Sequence, residues 1–509
     1  MKKCRMYRSL LFIFLILLCT MQSMAQSKQD YSWLWGGEPI ENSPNYSGVK
    51  FQFGDNGINV IDQWMGGDIF RQVGLMSDKE TGELLFYTNG CSVYNREHRE
   101  MPNGDKINDT TPLFDWFCPG GYAASNNSMV LSDPGNDNGY YIIHKPFTQI
   151  PEEQNRIETL TILYTYVDME LDDGKGDVSV KNQIAYNEKV TNTGFLNACR
   201  HANGRDWWIL QALEDSNIYI SILLTENGFE IVNEQAIGPL ITNNDGAGQT
   251  TYSRDGSLFV VNSYLSHVLI FDFDRTTGLL SNDRKVIIED TPDLFEFNRG
   301  AAFSPNDRYL YTTTQKELFQ IDLHADDLEE SIILIDTFAN RADGFDSYFN
   351  QILTGPDCKM YITAVAGTQF MHVIHSPDER GEDCDFQQDG IEAPRFMPGS
   401  FSYIYPHWRI DEDQPCDATM VGLADVYGVD EIPYKIYPNP VRDVAILEVM
   451  PEAEIVRYEL LSVDGKIVRS AAVDELQSSI DVSELGSGMY FLRVYDVDGA
   501  WEVEKVVKE

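Results

Sequence analysis

A short polar bend that feeds an apolar strand recurs along most of this chain, and its spacing limits what the chain can become. The fullest copy is Ser304-Pro305-Asn306-Asp307-Arg308-Tyr309-Leu310-Tyr311, and looser copies are anchored at Ser77, Ser132, His201, Ser253 and Gly355. Successive anchors lie 55, 69, 52, 51 and 51 residues apart. Helical repeats can share such a period, but the local pattern is wrong for helices. Each bend opens a run rich in aromatic and β-branched residues, such as Leu258 to Val261, Tyr309 to Tyr311 and Met360 to Ile362. Second strands follow at His267 to Asp272, Leu318 to Asp322 and Met371 to His375. Strands bounded by Gly, Asp, Asn and Pro at this period suit the four-stranded blades of a β-propeller.

Strands without a blade of their own flank the array. Val49 to Phe53 and Ile58 to Ile61 precede the first anchor, and Phe396 to Tyr405 follows the last blade. Pairing them makes a shared blade and covers two sheet edges. That gives seven blades; six also fit, with the long 145–200 interval holding an insertion.

The chain of 509 residues has 43% hydrophobic and 12% aromatic content, which belongs to a packed protein. Its formal charge of -42 disfavours nucleic acid and anionic membrane surfaces as partners, since both call for basic patches. Residues 1–25 read as a secretory signal peptide: Lys2, Lys3, Arg5 and Arg8, then an apolar run from Leu10 to Leu18, then Ser23-Met24-Ala25. That run is short for a bilayer span, and no later segment approaches one. Cys19 follows bulky residues, against a lipoprotein site. Of the eight cysteines, six lie beyond the leader, where an oxidising compartment permits disulfides whose pairing the sequence leaves open.

The pattern changes near the C-terminus. The propeller region spans 26–412, an acidic linker spans 413–432, and a short all-β module of small-sandwich size occupies 433–509. Tyr437-Pro438-Asn439-Pro440 opens the module, Asp464-Gly465 marks a hairpin turn, and Gly486-Ser487-Gly488-Met489-Tyr490 precedes a basic tail from Lys505 to Lys508. On these residues the module resembles the type A C-terminal sorting domain of the type IX secretion system. The residues that carry the motif are Pro438, Asn439, Pro440, Gly465, Gly488, Tyr490, Lys505 and Lys508. The resemblance implies the type IX machinery as a partner. It also implies passage through the periplasm to the cell surface or the medium, with the domain removed.

A second resemblance covers about 46 to 410. Leu84 to Gly90, Val93-Tyr94-Asn95, Met101 to Gly104, Tyr140 to His144, His201 to Trp208, Asp245 to Gln249 and Phe271 to Arg275 are similar to exported, WD40-like propeller proteins of outer-membrane bacteria. This implies a propeller of six or seven blades and carries over no activity.

Propellers bind ligands at the channel or on the loops of one face. Aligning the anchors gives a ring position at Gln72, Asn127, Leu196, Gly248, Arg299 and Asn350. The next position is Val73, Ser128, Asn197, Gln249, Gly300 and Gln351. Amides and an arginine recur there, as a hydrated tunnel mouth or a ligand site would require. The candidate ligand-binding set is therefore Gln72, Asn127, Asn197, Gln249, Arg299, Asn350 and Gln351. No cofactor is evident. Calcium is a candidate at Asp272, Asp274, Thr276 and Gly278, or at Asp133 to Asp137, although turn capping accounts for both. His372 and His375 fall on opposite faces of a strand, against a shared zinc ion. No nucleophile elbow, HExxH or phosphate loop is present. Trp207 and Trp208 alternate faces, so one of them points outward, either to pack between blades or to stack on a sugar. These features predict an all-β chain, a propeller followed by a small β-sandwich. Its role is to bind an extracellular glycan, surface protein or matrix component. The alternatives are a hydrolase or lyase with a channel-bound divalent cation, and a structural part of the surface machinery.

Overall fold

The computed structural model describes residues 27–36, 48–54, 57–69, 73–122, 127–150, 156–191, 194–242, 248–263, 267–288, 299–338, 348–364, 368–397, 402–403, 434–449, 455–462, 466–473, 476–496 and 501–508. The leader at 1–25, Gln72, the linker at 413–432 and the Asp464-Gly465 turn lie outside them. The chain divides into two compact units at Pro415 and Cys416, apart from Gln52–Asn59 and Asp357–Lys359, which group with the second.

The first unit has a β-propeller fold, and its described residues form seven sheets of three or four strands and one two-stranded hairpin. Five are regular antiparallel meanders of four strands each, read from inner to outer strand. Blade 2 is Ser128–Asp133, Asn136–His144, Ile162–Asp168 and Asp177–Tyr186. Blade 3 is Asn197–Arg200, Trp207–Ala212, Ser216–Thr225 and Gly228–Ile241. Blade 4 is Gln249–Tyr252, Leu258–Ser263, His267–Asp274 and Leu279–Val286. Blade 5 is Ala301–Phe303, Tyr309–Thr313, Glu317–Asp322 and Ile333–Thr337. Blade 6 is Phe349–Thr354, Met360–Ala364, Thr368–Ile374 and Phe386–Met397. Blade 1 has Val73–Ser77, Leu84–Thr88 and Val93–Asn95, while Ser32–Trp35, Gly48–Gly54 and Gly57–Gln63 form a three-stranded sheet.

The recurring bend has a local cause. In blade 5, Ser304 Oγ donates to Asn306 Oδ1, the N–H of Arg308 donates to the same oxygen, and the N–H of Tyr309 donates back to Ser304 Oγ. Blade 4 repeats this with Ser253, Asp255, Ser257 and Leu258. A serine and an Asx two residues on thus satisfy the backbone of a tight hairpin that turns the inner strand back into the second. Neighbouring bends also interlock: the Asp307 carboxylate accepts the N–H groups of Arg254 and Asp255, and burial pushes its pKa up to about 6.

Side chains join each sheet to the next. Phe86 meets Tyr140 edge-on between blades 1 and 2, and Tyr141 meets Phe229 between blades 2 and 3. Tyr219 meets Phe271 between blades 3 and 4. Asn262 Nδ2 donates to Gly300 O between blades 4 and 5, and Thr313 Oγ1 donates to Asn350 O between blades 5 and 6. Trp33 of the N-terminal sheet lies edge-on to Tyr361 of blade 6, and Arg395 pairs with Asp62 at 2.6 Å, 333 residues away. Ser32 Oγ of the N-terminal sheet donates to Gly82 O, in the hairpin turn of blade 1.

Two expectations need correction, on the end strands and on the 145–200 interval. Val49 to Phe53 and Ile58 to Ile61 do share a sheet, but their partner is Ser32–Trp35. The C-terminal strand Ser402–Tyr403 instead pairs in parallel with Val73 and Gly74 of blade 1. Trp207 and Trp208 take the first of the two fates left open for them, packing between blades rather than stacking on a sugar: their strand is covered on both faces, and they are 0% and 2% exposed. The Trp207 indole N–H donates to Ser132 O of blade 2, and that of Trp208 donates to Arg275 O of blade 4. Finally, the 145–200 interval holds both regular strands of blade 2 and an inserted hairpin, Thr148–Ile150 with Arg156–Glu158.

The second unit has two antiparallel sheets, a small β-sandwich. Tyr434–Tyr437, Val444–Val449 and Gln477–Asp481 make one. Ile467–Ala472, Ile455–Ser462, Gly488–Asp496 and Trp501–Lys508 make the other, in that order. Leu447, Leu460, Ile480, Leu492 and Val494 fill the core between them.

Candidate functional site

In antiparallel meanders, the end where inner strands begin also receives the turns between second and third strands. The candidate ring lies at that end, and the structure divides it. Asn197 is committed: its Nδ2 donates to Thr250 O at 2.8 Å in the next blade, and its Oδ1 accepts the Ala198 N–H. Gln249 is committed more heavily. Its Nε2 donates to Ile352 O at 2.7 Å, and its Oε1 accepts the N–H groups of Ile352 and Ala301 at 3.0 and 3.1 Å. One amide from blade 4 therefore ties the inner strands of blades 5 and 6. Arg299 and Asn350 are buried beside it. Asn127 is wholly buried, yet neither its Oδ1 nor its Nδ2 has a hydrogen-bond partner. Gln351 is also buried, and Thr312 Oγ1 and Thr363 Oγ1 on the second strands of blades 5 and 6 lack partners too.

Beside Asn127 sits a polar layer that sequence reasoning missed. The Lys145 N–H donates to Asn127 O, and the Lys145 ammonium is fully buried. Its Nζ donates to the carbonyls of Thr191 and Gly194 at 3.0 and 2.9 Å, and reaches Gln211 Oε1 at 3.5 Å. Burial without a contacting carboxylate lowers its pKa to about 7. His144 is buried between Asn108 Oδ1 and Thr165 Oγ1, and burial lowers its pKa to about 3. A lone Lys after an apolar strand gives no sequence signal of this kind, because its acceptors come from another blade.

The inserted hairpin brings a second cluster to the same end. Arg156 pairs with Glu214, and its Nε lies 3.4 Å from Glu158. Lys189 lies 2.7 Å from Glu158 and 3.7 Å from Glu214, and both cations reach Asp215. The Glu214 side chain is fully buried, its Oε2 has no partner, and burial raises its pKa.

The calcium candidates have other employment. Asp272 pairs with Arg284 and accepts from Asn282, while Asp274 accepts from Thr276 and Thr277 as a turn cap. Asp133 accepts from Gly135 and the Tyr166 hydroxyl. Among the described residues, no group of three or more His, Cys, Asp and Glu side chains is arranged to hold a metal ion. His372 accepts the Asp389 N–H, and His375 contacts Gln387, so the two serve different neighbours.

In the second unit, the sorting motif gathers against the last strand. Asn439 Oδ1 accepts the Val507 N–H, and Val441 bridges Lys508. Gly488 stands opposite Lys508, Phe491 opposite Lys505, and the Tyr490 hydroxyl donates to Gly486 O. The peptide bonds before Pro438 and Pro440 are cis.

Residues 435–509 match the family model described as a secretion system C-terminal sorting domain. No curated protein sequence matches the chain. Among solved structures, a putative 6-phosphogluconolactonase from Bacteroides uniformis is 12% identical, with 89% of this chain and 99% of that chain covered and a TM-score of 0.35. A quinonprotein alcohol dehydrogenase-like protein from Bacteroides thetaiotaomicron is 8% identical, with 73% and 76% covered and a TM-score of 0.37. The extracellular domain of a putative hybrid two component system from B. thetaiotaomicron is 13% identical, with 96% and 58% covered and a TM-score of 0.37. Likenesses at these scores carry no argument about activity. No helix among the described residues is long and apolar enough to cross a membrane. The sorting domain marks the chain as cargo of the type IX secretion machinery, a β-propeller protein exported to the cell surface or the medium.

Proposed function

We propose that the exported propeller is a binding protein whose ligand, a glycan or a surface or matrix protein, engages the ring end of the inner strands. The observation that supports this reading is the wholly buried Asn127 amide, neither end of which has a hydrogen-bond partner, with Gln351 buried at the corresponding end of blade 6. A buried polar group without a partner costs about 1–3 kcal/mol, so such groups are expected to meet water or a ligand. Gln249 and Asn197 would frame that site, since their amides already hold backbone. Arg299 and Asn350 complete the described part of the ring in this reading.

The test is a ligand screen on the purified exported chain, read by thermal shift, followed by Asn127→Ala and Gln351→Ala. A ligand that raises the melting temperature of the parent, with affinity reduced in both variants, supports the reading. Unchanged affinity in both variants overturns the placement. No binding to any glycan, envelope protein or matrix component overturns the function.

A further inference from the structure

We propose that Cys358, in the bend of blade 6, is bonded to Cys416, and that this disulfide is a covalent staple for the C-terminal seam strand, Ser402–Tyr403. Because Cys416 precedes the module at 433–509, removal of that module leaves the staple in the propeller. The assignment is independent of the binding reading.

Elimination identifies the partner. Cys358 is disulfide-bonded. Cys91 is joined to Cys118, while Cys199 and Cys384 are buried free thiols. Of the eight cysteines, that leaves Cys4, Cys19 and Cys416, all outside the described residues. Cys4 and Cys19 fall in the stretch read as a signal peptide, so a bond to either would be lost with the leader. Cys416 opens the compact unit that also takes in Asp357–Lys359. To form the bond, the two thiols give up two protons and two electrons by thiol–disulfide exchange with an oxidised dithiol protein of the export compartment, whose own disulfide is reduced to two thiols.

The backbone of blade 6 supports a position kept for a thiol. The fourth residue of the recurring bend is left-handed in blades 3, 4, 5 and 6: Gly204, Gly256, Asp307 and Cys358, with φ of 73°, 70°, 58° and 65°. Glycine meets no penalty there, and Asp307 offsets it by accepting the N–H groups of Arg254 and Asp255. A cysteine side chain offers neither, so the covalent bond is what offsets the conformation. The bond also has something to hold. Among the described residues, Ser402–Tyr403 meets blade 1 at two positions, Val73 and Gly74, in parallel. A bond from 358 to 416 encloses this strand in one loop with the second, third and fourth strands of blade 6. Tyr403 is then thirteen residues from a fixed point, so a detached seam strand stays close to its partner.

The experiment is tryptic digestion of the purified exported chain without reduction, with free thiols blocked first, read by mass spectrometry. The proposal expects peptide 342–359 joined to the peptide that begins at Ile410, in a chain that runs as a monomer on a non-reducing gel. Cys416→Ser lowers the melting temperature by about 5 °C, from the entropy of the loop between 358 and 416 in a unit of roughly 390 residues. Cys358→Gly lowers it in the parent but raises it in Cys416→Ser, where no bond is lost and glycine relieves the left-handed conformation. Peptide 342–359 found free, or joined to Cys199 or Cys384, overturns the pairing. A joined pair found only in dimers overturns the single-chain staple. A joined pair whose Cys416→Ser variant melts with the parent overturns the stapling role.

Discussion

Gln249 and Gln351 occupy equivalent positions on the inner strands of blades 4 and 6, and both are buried, at 7% and 6% exposure. Their truncations should nevertheless differ sharply. Gln249→Ala removes the acceptor for the Ala301 and Ile352 N–H groups and the donor to Ile352 O. Each stranded group costs about 1–3 kcal/mol, offset where water can enter, so a net loss of about 3 kcal/mol is expected. At about 2.1 cal/mol/K per residue for a unit of roughly 390 residues, that lowers the melting temperature by about 4 °C. Gln351→Ala removes no such bond and should stay within about 1 kcal/mol of the parent. Calorimetry of the purified exported chain and both variants, at one pH and protein concentration, reads the difference. Equal shifts, or an unshifted Gln249→Ala, would refute the assignment of Gln249 as a tie between blades.

Lys145 gives a pH signature. Its folded pKa of about 7 lies below the ordinary value of 10.5, so the unfolded chain holds a proton that the folded chain has released between those limits. Stability therefore rises with pH across that window, by up to about 1.4 kcal/mol per unit from this group. The difference in melting temperature between the parent and Lys145→Met should grow in the parent's favour from pH 7 to 9; a flat difference refutes it. The Cys91–Cys118 bridge closes a separation of 27 residues. Replacing both cysteines by alanine should cost about 3 kcal/mol in chemical denaturation, and an unchanged midpoint would contradict this.

The sequence was legible where hydrogen bonds are local. The bend at Ser304 and Ser253 is a serine and an Asx residue satisfying the next few backbone groups, so it can be read in a window of eight residues. The strands it launches follow from β-branched and aromatic content. What could not be read is non-local. Gln249 looks like a ligand amide in sequence because its partner Ile352 is 103 residues away. Alternation places Trp207 and Trp208 on opposite faces, and the structure packs one against blade 2 and the other against blade 4; which of packing or sugar stacking holds could be decided only by the neighbouring blades. Val49 to Phe53, Ile58 to Ile61 and the segment holding Ser402–Tyr403 read as seam pieces because they lie outside the repeat, while their partners, Ser32–Trp35 among them, depend on the arrangement of all the blades. The ion cluster at Arg156 sits in an insertion that breaks the period, so the repeat that revealed the blades concealed it.

The most direct test of the account is where the propeller goes when its tail is removed. Cells producing the full chain and cells producing a chain that lacks 433–509 are treated intact with a protease that does not enter the periplasm, then fractionated. The account predicts propeller on the surface or in the medium for the full chain, and folded, protease-protected propeller confined to the periplasm for the shortened one. Surface display of the shortened chain, or periplasmic retention of the full one, would contradict it.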